Sequence, residues 1–201
     1  MSRSSGHGSA PGGYGFSRVS LDDDYYEVEQ SLVRNKYVVR NSADEVALRG
    51  KQKMFKMKEE FPFVDDDDRE VFSVKAGGIM DVAGNYAVTD AETGEEVVVL
   101  DEDFSLFDEV WTIRDPDSGS ELATIETRSK PLAALRHTVS LANLIPNKYD
   151  IFDADGSKVG AIEGQFSLRD TYTVSVDADG DVPREAVLAA ACVLDALENQ
   201  E

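Results

Sequence analysis

Asp181-Val182-Pro183 followed by REAVLAAACVLDALENQ (184–200) is the stretch on which the fold turns. Pro183 suits the first position of a helix, and Asp179, Asp181 and Glu185 favour its positive end. From Ala186 to Leu197 apolar residues occupy nearly every side of that helix. A helix apolar all round is buried all round. Its many alanines make it slim, and ~15 residues at ~1.5 Å each give a rod of about 22 Å, the height of a small barrel.

The chain before this helix reads as strands and turns. Short alternating runs rich in Val, Ile, Tyr and Phe are punctuated by Asp, Asn and Gly. One unit recurs: YVVRNSADEVALRG begins at Tyr37, YAVTDAETGEEVVV at Tyr86, WTIRDPDSGSELATI at Trp111, YDIFDADGSKVGAIEG at Tyr149 and YTVSVDADGDV at Tyr172. Each opens on an aromatic with a β-branched residue two positions on (Val39, Val88, Ile113, Ile151, Val174), and an Asp or Asn follows. Gly94, Gly119, Gly156 and Gly180 then come seven or eight residues after the aromatic in the last four units. The aromatic and the branched residue share one strand face, the acid bonds the turn backbone, and the glycine accepts positive φ. We read these units as repeated β-hairpins. Their aromatics are 49, 25, 38 and 23 residues apart, too irregular for a solenoid or propeller. The expectation is a mainly β domain, a closed antiparallel barrel wrapped around a buried C-terminal helix.

The 201 residues carry 40 Asp+Glu against 20 Lys+Arg, a formal charge of −20. Such a field disfavours nucleic acid and anionic membranes as broad partners. The longest apolar run, Ala186 to Leu194, is nine residues, short of the ~18 that would span a bilayer. The acids lie in patches along the chain, including Asp22–Asp24, Asp65–Asp68, Glu95–Glu96 and Asp101–Asp103. Molar salt shortens the screening length to ~3 Å and relieves their repulsion, so the balance reads as adaptation to high intracellular salt. One cysteine, Cys192, makes no intramolecular disulfide, and no secretory signal is visible, so the expected location is cytoplasmic. Residues 1–20, rich in Gly and Ser, are expected to form a disordered tail ahead of a domain over 21–201.

SLVRNKYVVRN (31–41), MFKMKEEFPFVD (54–65), VFSVKAGGIMDVAGNYAVTDAETGEEV (71–97), WTIRDPDSG (111–119) and YDIFDADGSKVGAI (149–162), with the terminal helix, resemble the LURP-one-related family over about residues 21 to 199. That family belongs to the tubby C-terminal-like superfamily with the phospholipid scramblases. The resemblance implies a twelve-stranded barrel around a central hydrophobic helix, and the acid excess suggests a haloarchaeal member. Tubby proteins bind phosphoinositide headgroups through a cationic patch and scramblases act at membranes, whereas most LURP-one-related proteins have no established activity. No tubby lipid-binding position maps residue by residue onto this chain. The implied function is a non-enzymatic interaction or binding module that needs no cofactor, with a protein partner or an anionic ligand or lipid as its class of partner.

The basic island Arg49, Lys51, Lys53, Lys56 and Lys58 is the sharpest candidate site. Five cations within ten residues of an acidic chain suit a phosphate or an anionic headgroup. The competing expectation is that they neutralise neighbours such as Glu59, Glu60 and Asp65–Asp68 while their stems cover Phe55 and Met57. The loops at Asp153 and Asp177 have acids at the first and third positions of a calcium loop. They put Lys158 and Val182 at the sixth and Gly164 and Leu188 at the twelfth, so turn chemistry is expected there and no metal site. His137 and Cys192 are too few for zinc and are read as neither ligands nor a nucleophile pair. Pro131 to Leu144 is read as a short helix or crossover whose Leu132, Leu135, Val139 and Leu141 add to the core.

Overall fold

Twelve strands and a helix carry the regular structure in the computed structural model, which describes residues 14–31, 36–51, 61–77, 85–104, 109–128, 148–165, 170–177 and 182–198. They are β1 (Tyr25–Ser31), β2 (Lys36–Asn41), β3 (Val46–Lys51), β4 (Phe61–Val64), β5 (Glu70–Ala76), β6 (Asn85–Asp90), β7 (Glu96–Phe104), β8 (Glu109–Arg114), β9 (Glu121–Thr127), β10 (Lys148–Asp153), β11 (Lys158–Gln165), β12 (Asp170–Val176) and α1 (Arg184–Glu198). Each strand pairs antiparallel with the next, and β1 pairs with β12, so the sheet closes on itself.

Alternation decides which residues face inward, because successive side chains of a strand point to opposite faces. Around the barrel Val28 stands opposite Val39, Val74 opposite Val88, Val88 opposite Val98, Leu100 opposite Ile113, Ile125 opposite Ile151 and Ile162 opposite Val174. All are buried. Into this lining fits α1, whose residues from Ala186 to Leu194 are each at most 4% exposed. The Tyr172 hydroxyl of β12 donates to the Ala191 carbonyl at 3.2 Å, tying wall to helix. Small residues also let strands approach: a Cβ on Gly160 would lie 2.3 Å from the Ser175 carbonyl oxygen, so no other residue fits β11 there without displacing β12.

The turns of β2–β3, β4–β5, β6–β7, β8–β9 and β10–β11 share one end of the barrel and one chemistry. Asn41, Asp65, Asp90, Asp115 and Asp153 open them, and each side-chain oxygen accepts main-chain N–H groups two to four residues ahead. In every case an aromatic stands four residues earlier: Tyr37, Phe61, Tyr86, Trp111 and Tyr149. A spacing of four keeps both on the same face, with the ring ~13 Å deeper than the polar group at the rim.

Two of the sequence expectations change here. A hairpin unit begins at Phe61, and it escapes the glycine pattern because Asp68 itself adopts φ 62°. Asp44 does the same in the first turn with φ 64°, whereas Gly94 and Gly156 fill that role at 73° and 80°. The Tyr172 unit is no hairpin: β12 leads into α1, and Gly180 lies outside the described residues.

Residues 14–20, assigned by composition to the tail, pack across this turn end. Phe16 is buried and stacks on Phe72 with ring centroids 4.4 Å apart, and Phe72 stacks in turn on Phe63. Two aromatics, Tyr14 and Phe16, in a short glycine-rich stretch have no periodicity to announce them. Residues 1–13 lie outside the described residues.

Candidate functional site

Arg49 is the member of the basic island whose surroundings are described. On β3 the inward residues are Leu48 and Gly50, both buried, so Arg49 between them points out of the barrel. Its guanidinium turns toward the β4–β5 turn, where Nη1 donates to the Asp66 carbonyl at 3.0 Å and the Asp65 carbonyl at 3.4 Å. That turn is organised from within by Asp65. The carboxylate accepts the N–H groups of Asp67 and Arg69 and the Arg69 Nε at 2.9 Å. Burial pushes the Asp65 carboxyl upward, but these hydrogen bonds and the Arg69 charge outweigh it and hold it below the usual range.

Arg49 therefore braces a turn sixteen residues away, in the acidic run that sequence reading paired with the island as a whole. Lys51 stands at the end of β3, directly opposite Lys36 of β2 in the register. Lys53, Lys56 and Lys58 lie outside the described residues, as do Phe55, Met57, Glu59 and Glu60.

Elsewhere the described arginines pair with carboxylates. Arg114 meets Asp101 at 3.2 Å, Arg184 meets Asp24 at 2.7 Å, and Arg128 joins Asp150 and Glu163 while Lys158 reaches Asp150 at 2.7 Å. The calcium-like loop at Asp153 is a turn: Oδ1 accepts the N–H groups of Asp155 at 3.0 Å and Ser157 at 2.8 Å. The Asp177 N–H donates to the Val159 carbonyl at 2.7 Å, and residues 178–181 lie outside the described residues. Among the described residues no three His, Cys, Asp or Glu side chains are placed to hold a metal ion. Cys192 is buried in α1, while His137 and the whole of 131–144 lie outside the described residues.

A cavity of about 230 Å³ opens at the turn end, lined by Ser20, Leu21, Asp22, Asp23, Tyr26, Asn41 and Ala47. Its polar groups are engaged with one another. The Asp23 N–H donates to the Tyr26 hydroxyl at 3.0 Å and Ser42 Oγ donates to Asp23 Oδ1 at 2.8 Å. Burial pushes the Tyr26 phenol far above its ordinary value, so it keeps its proton.

The model of the LURP-one-related family matches residues 46–195. The chain belongs to the LURP-one-related family. This LURP-one-related barrel is also similar to the crystal structure of a protein from Arabidopsis thaliana, with a TM-score of 0.51, 7% identity and coverage of 88% of this chain and 92% of that one. At that identity the likeness is one of fold. No curated protein matches the chain by sequence. Among the described residues of this family member, no helix is long and apolar enough to cross a membrane.

Proposed function

We propose that this LURP-one-related protein is a non-enzymatic binding module that works through its outer surface, in the cytoplasm of a salt-adapted cell. The observation that carries this reading is the filled interior. Helix α1 is buried from Ala186 to Leu194 against the inward face of the wall, so the space where a barrel of this size would hold a small ligand is taken by the chain itself. Membership of the tubby C-terminal-like superfamily is part of the same proposal, resting on the barrel and its central helix.

A second reading is favoured by one register. Lys36 and Lys51 are register partners across β2 and β3, which sets two basic residue types side by side in the sheet. With Lys53, Lys56 and Lys58 following in sequence, this basic run suits a phosphate group, free or on a lipid headgroup.

One experiment addresses both. The full chain and a variant with Lys51, Lys53, Lys56 and Lys58 changed to Gln are compared in molar KCl, by affinity capture and by binding to inorganic phosphate and to phosphatidylglycerol vesicles. A protein captured by both chains supports a module acting elsewhere on its surface. Phosphate or vesicle binding lost in the variant assigns the lysines. Neither capture above a denatured control nor ligand binding overturns the proposal.

A further inference from the structure

We propose that the cavity at the turn end binds a small organic ammonium that also carries a hydroxyl group, the class of the amino alcohols. The inference goes beyond the binding reading above and concerns a different place on the barrel. Lys36 and Lys51 stand at one end of the β2–β3 hairpin, whereas Asn41 and Ala47 flank the turn at the other.

The cavity lies just before the chain enters β1. Residues 20–23 form one side, Asn41 and Ala47 form another, and Tyr26 of β1, the register partner of Asn41, joins the two. Ser42 Oγ, donating to Asp23 Oδ1 at 2.8 Å, ties the sides together. At about 230 Å³ the space is smaller than the ~300–1,000 Å³ of sites for drug-sized ligands, so its occupant is small.

Charge sets the sign of that occupant. Asp22 and Asp23 both line the cavity, and each accepts one hydroxyl, from Ser20 and Ser42. A carboxylate has room for about four such bonds. Among the described residues neither carboxylate joins an ion pair, while Arg18, Arg40 and Arg184 are committed to Glu92, Asp44 and Asp24. Two carboxylates with no cation beside them favour a positive guest and disfavour one that brings a carboxylate of its own.

The rest of the lining decides what kind of cation. Leu21 and Tyr26 are 2% and 3% exposed, and Ala47 adds a methyl group. Asn41 is spent within its own turn, where Oδ1 accepts the Ala43 and Glu45 N–H groups and Nδ2 donates to Glu45. Calcium takes ~6–8 oxygens, more than this wall offers, whereas an alkylammonium sets its charge on the acids and its carbon against the apolar side chains. Tyr26 adds the second requirement. Its oxygen accepts the Asp23 N–H at 3.0 Å, and its own proton, which burial keeps in place, meets no acceptor among the described residues. A hydroxyl oxygen on the guest satisfies that buried donor.

Titration of the full chain with ethanolamine at fixed pH in molar KCl, followed by amide chemical shifts, tests this. The Leu21, Asp23 and Ala47 amides shift saturably while Val98 and Ile151 stay still. Ethylene glycol, which lacks the charge, has no effect at the same concentrations, and ethylamine, which lacks the hydroxyl, binds at least about threefold more weakly. Asp22→Asn and Asp23→Asn, which keep their hydroxyl partners, each weaken ethanolamine by about threefold or more, the worth of a partly exposed ion pair. Tyr26→Phe erases the preference for ethanolamine over ethylamine. The proposal is overturned by ethanolamine shifts that do not saturate, by ethylene glycol binding as well as ethanolamine, by unchanged binding in both Asn variants, or by a hydroxyl preference that survives in Tyr26→Phe. Shifts produced by calcium chloride and not by ethanolamine make this a metal site and overturn it too.

Discussion

Asp90 condenses the chemistry of the turns into one side chain. It is 2% exposed, yet its carboxylate accepts the N–H groups of Ser17, Glu92 and Thr93 and the Thr93 hydroxyl. Burial alone would raise its carboxyl, but those donors prevail and lower it. Asp90→Ala strands buried donors and is expected to cost about 1–3 kcal/mol, read as a lower denaturant midpoint in molar KCl. Because the native carboxyl is depressed, its contribution is present above 3.8 and fades as pH falls through the lower native value. Asp90→Asn should therefore flatten the acid limb of the stability curve, and an unchanged limb would refute this account. The turn role of Asp90, Asp115 and Asp153 was legible because each opens a turn that carries a glycine. Asp65 was masked by its own run of acids, which looks like a solvated patch. The target of Arg49 was illegible for another reason: its partners are main-chain carbonyls, which no residue type advertises.

At the scale of elements, α1 was the most legible part of the molecule, since only a wall on every side can shelter a helix with apolar residues on every side. The alanines there have a geometric meaning. Ala189, Ala190 and Ala191 are each at most 1% exposed, enclosed away from water inside the barrel. Ala190→Leu is expected to destabilise by about 1–3 kcal/mol through overpacking, measured as a fall in the unfolding midpoint with far-ultraviolet circular dichroism retained below it. A neutral or stabilising result would mean that the helix is loosely seated. The N-terminal segment 14–24 was the least legible element, because it is held by scattered contacts to four distant parts of the chain, at Phe72, Asp90 and Glu92, Asp115 and Arg184, and has no repeating pattern of its own. The β4–β5 hairpin was nearly as obscure, with β4 only four residues long.

For the whole molecule, closure and charge act together. Among the described residues every strand has a partner on both sides, which removes the open sheet edge that invites pairing with another chain. A charge of −20 on this body is expected to make stability rise with salt. Raising KCl from ~0.1 M to ~1 M shortens the screening length from ~10 Å to ~3 Å, and the thermal midpoint should climb across that range. A flat response would remove the case for salt adaptation. Closure itself was legible from residues, since a buried helix in a hairpin-rich chain needs a surrounding wall, but the number of strands came only with the family resemblance. The meander also dictates an order of assembly. Every seam but one joins neighbours in sequence; the last, β1 to β12, pairs Tyr25 with Ser175. A chain leaving the ribosome has its first strands in place long before either the closing strand or the helix that must lie inside. The wall therefore has to stay ajar, a curved ribbon with two open margins, until α1 emerges and is enclosed, so that sealing the seam is the final step of folding.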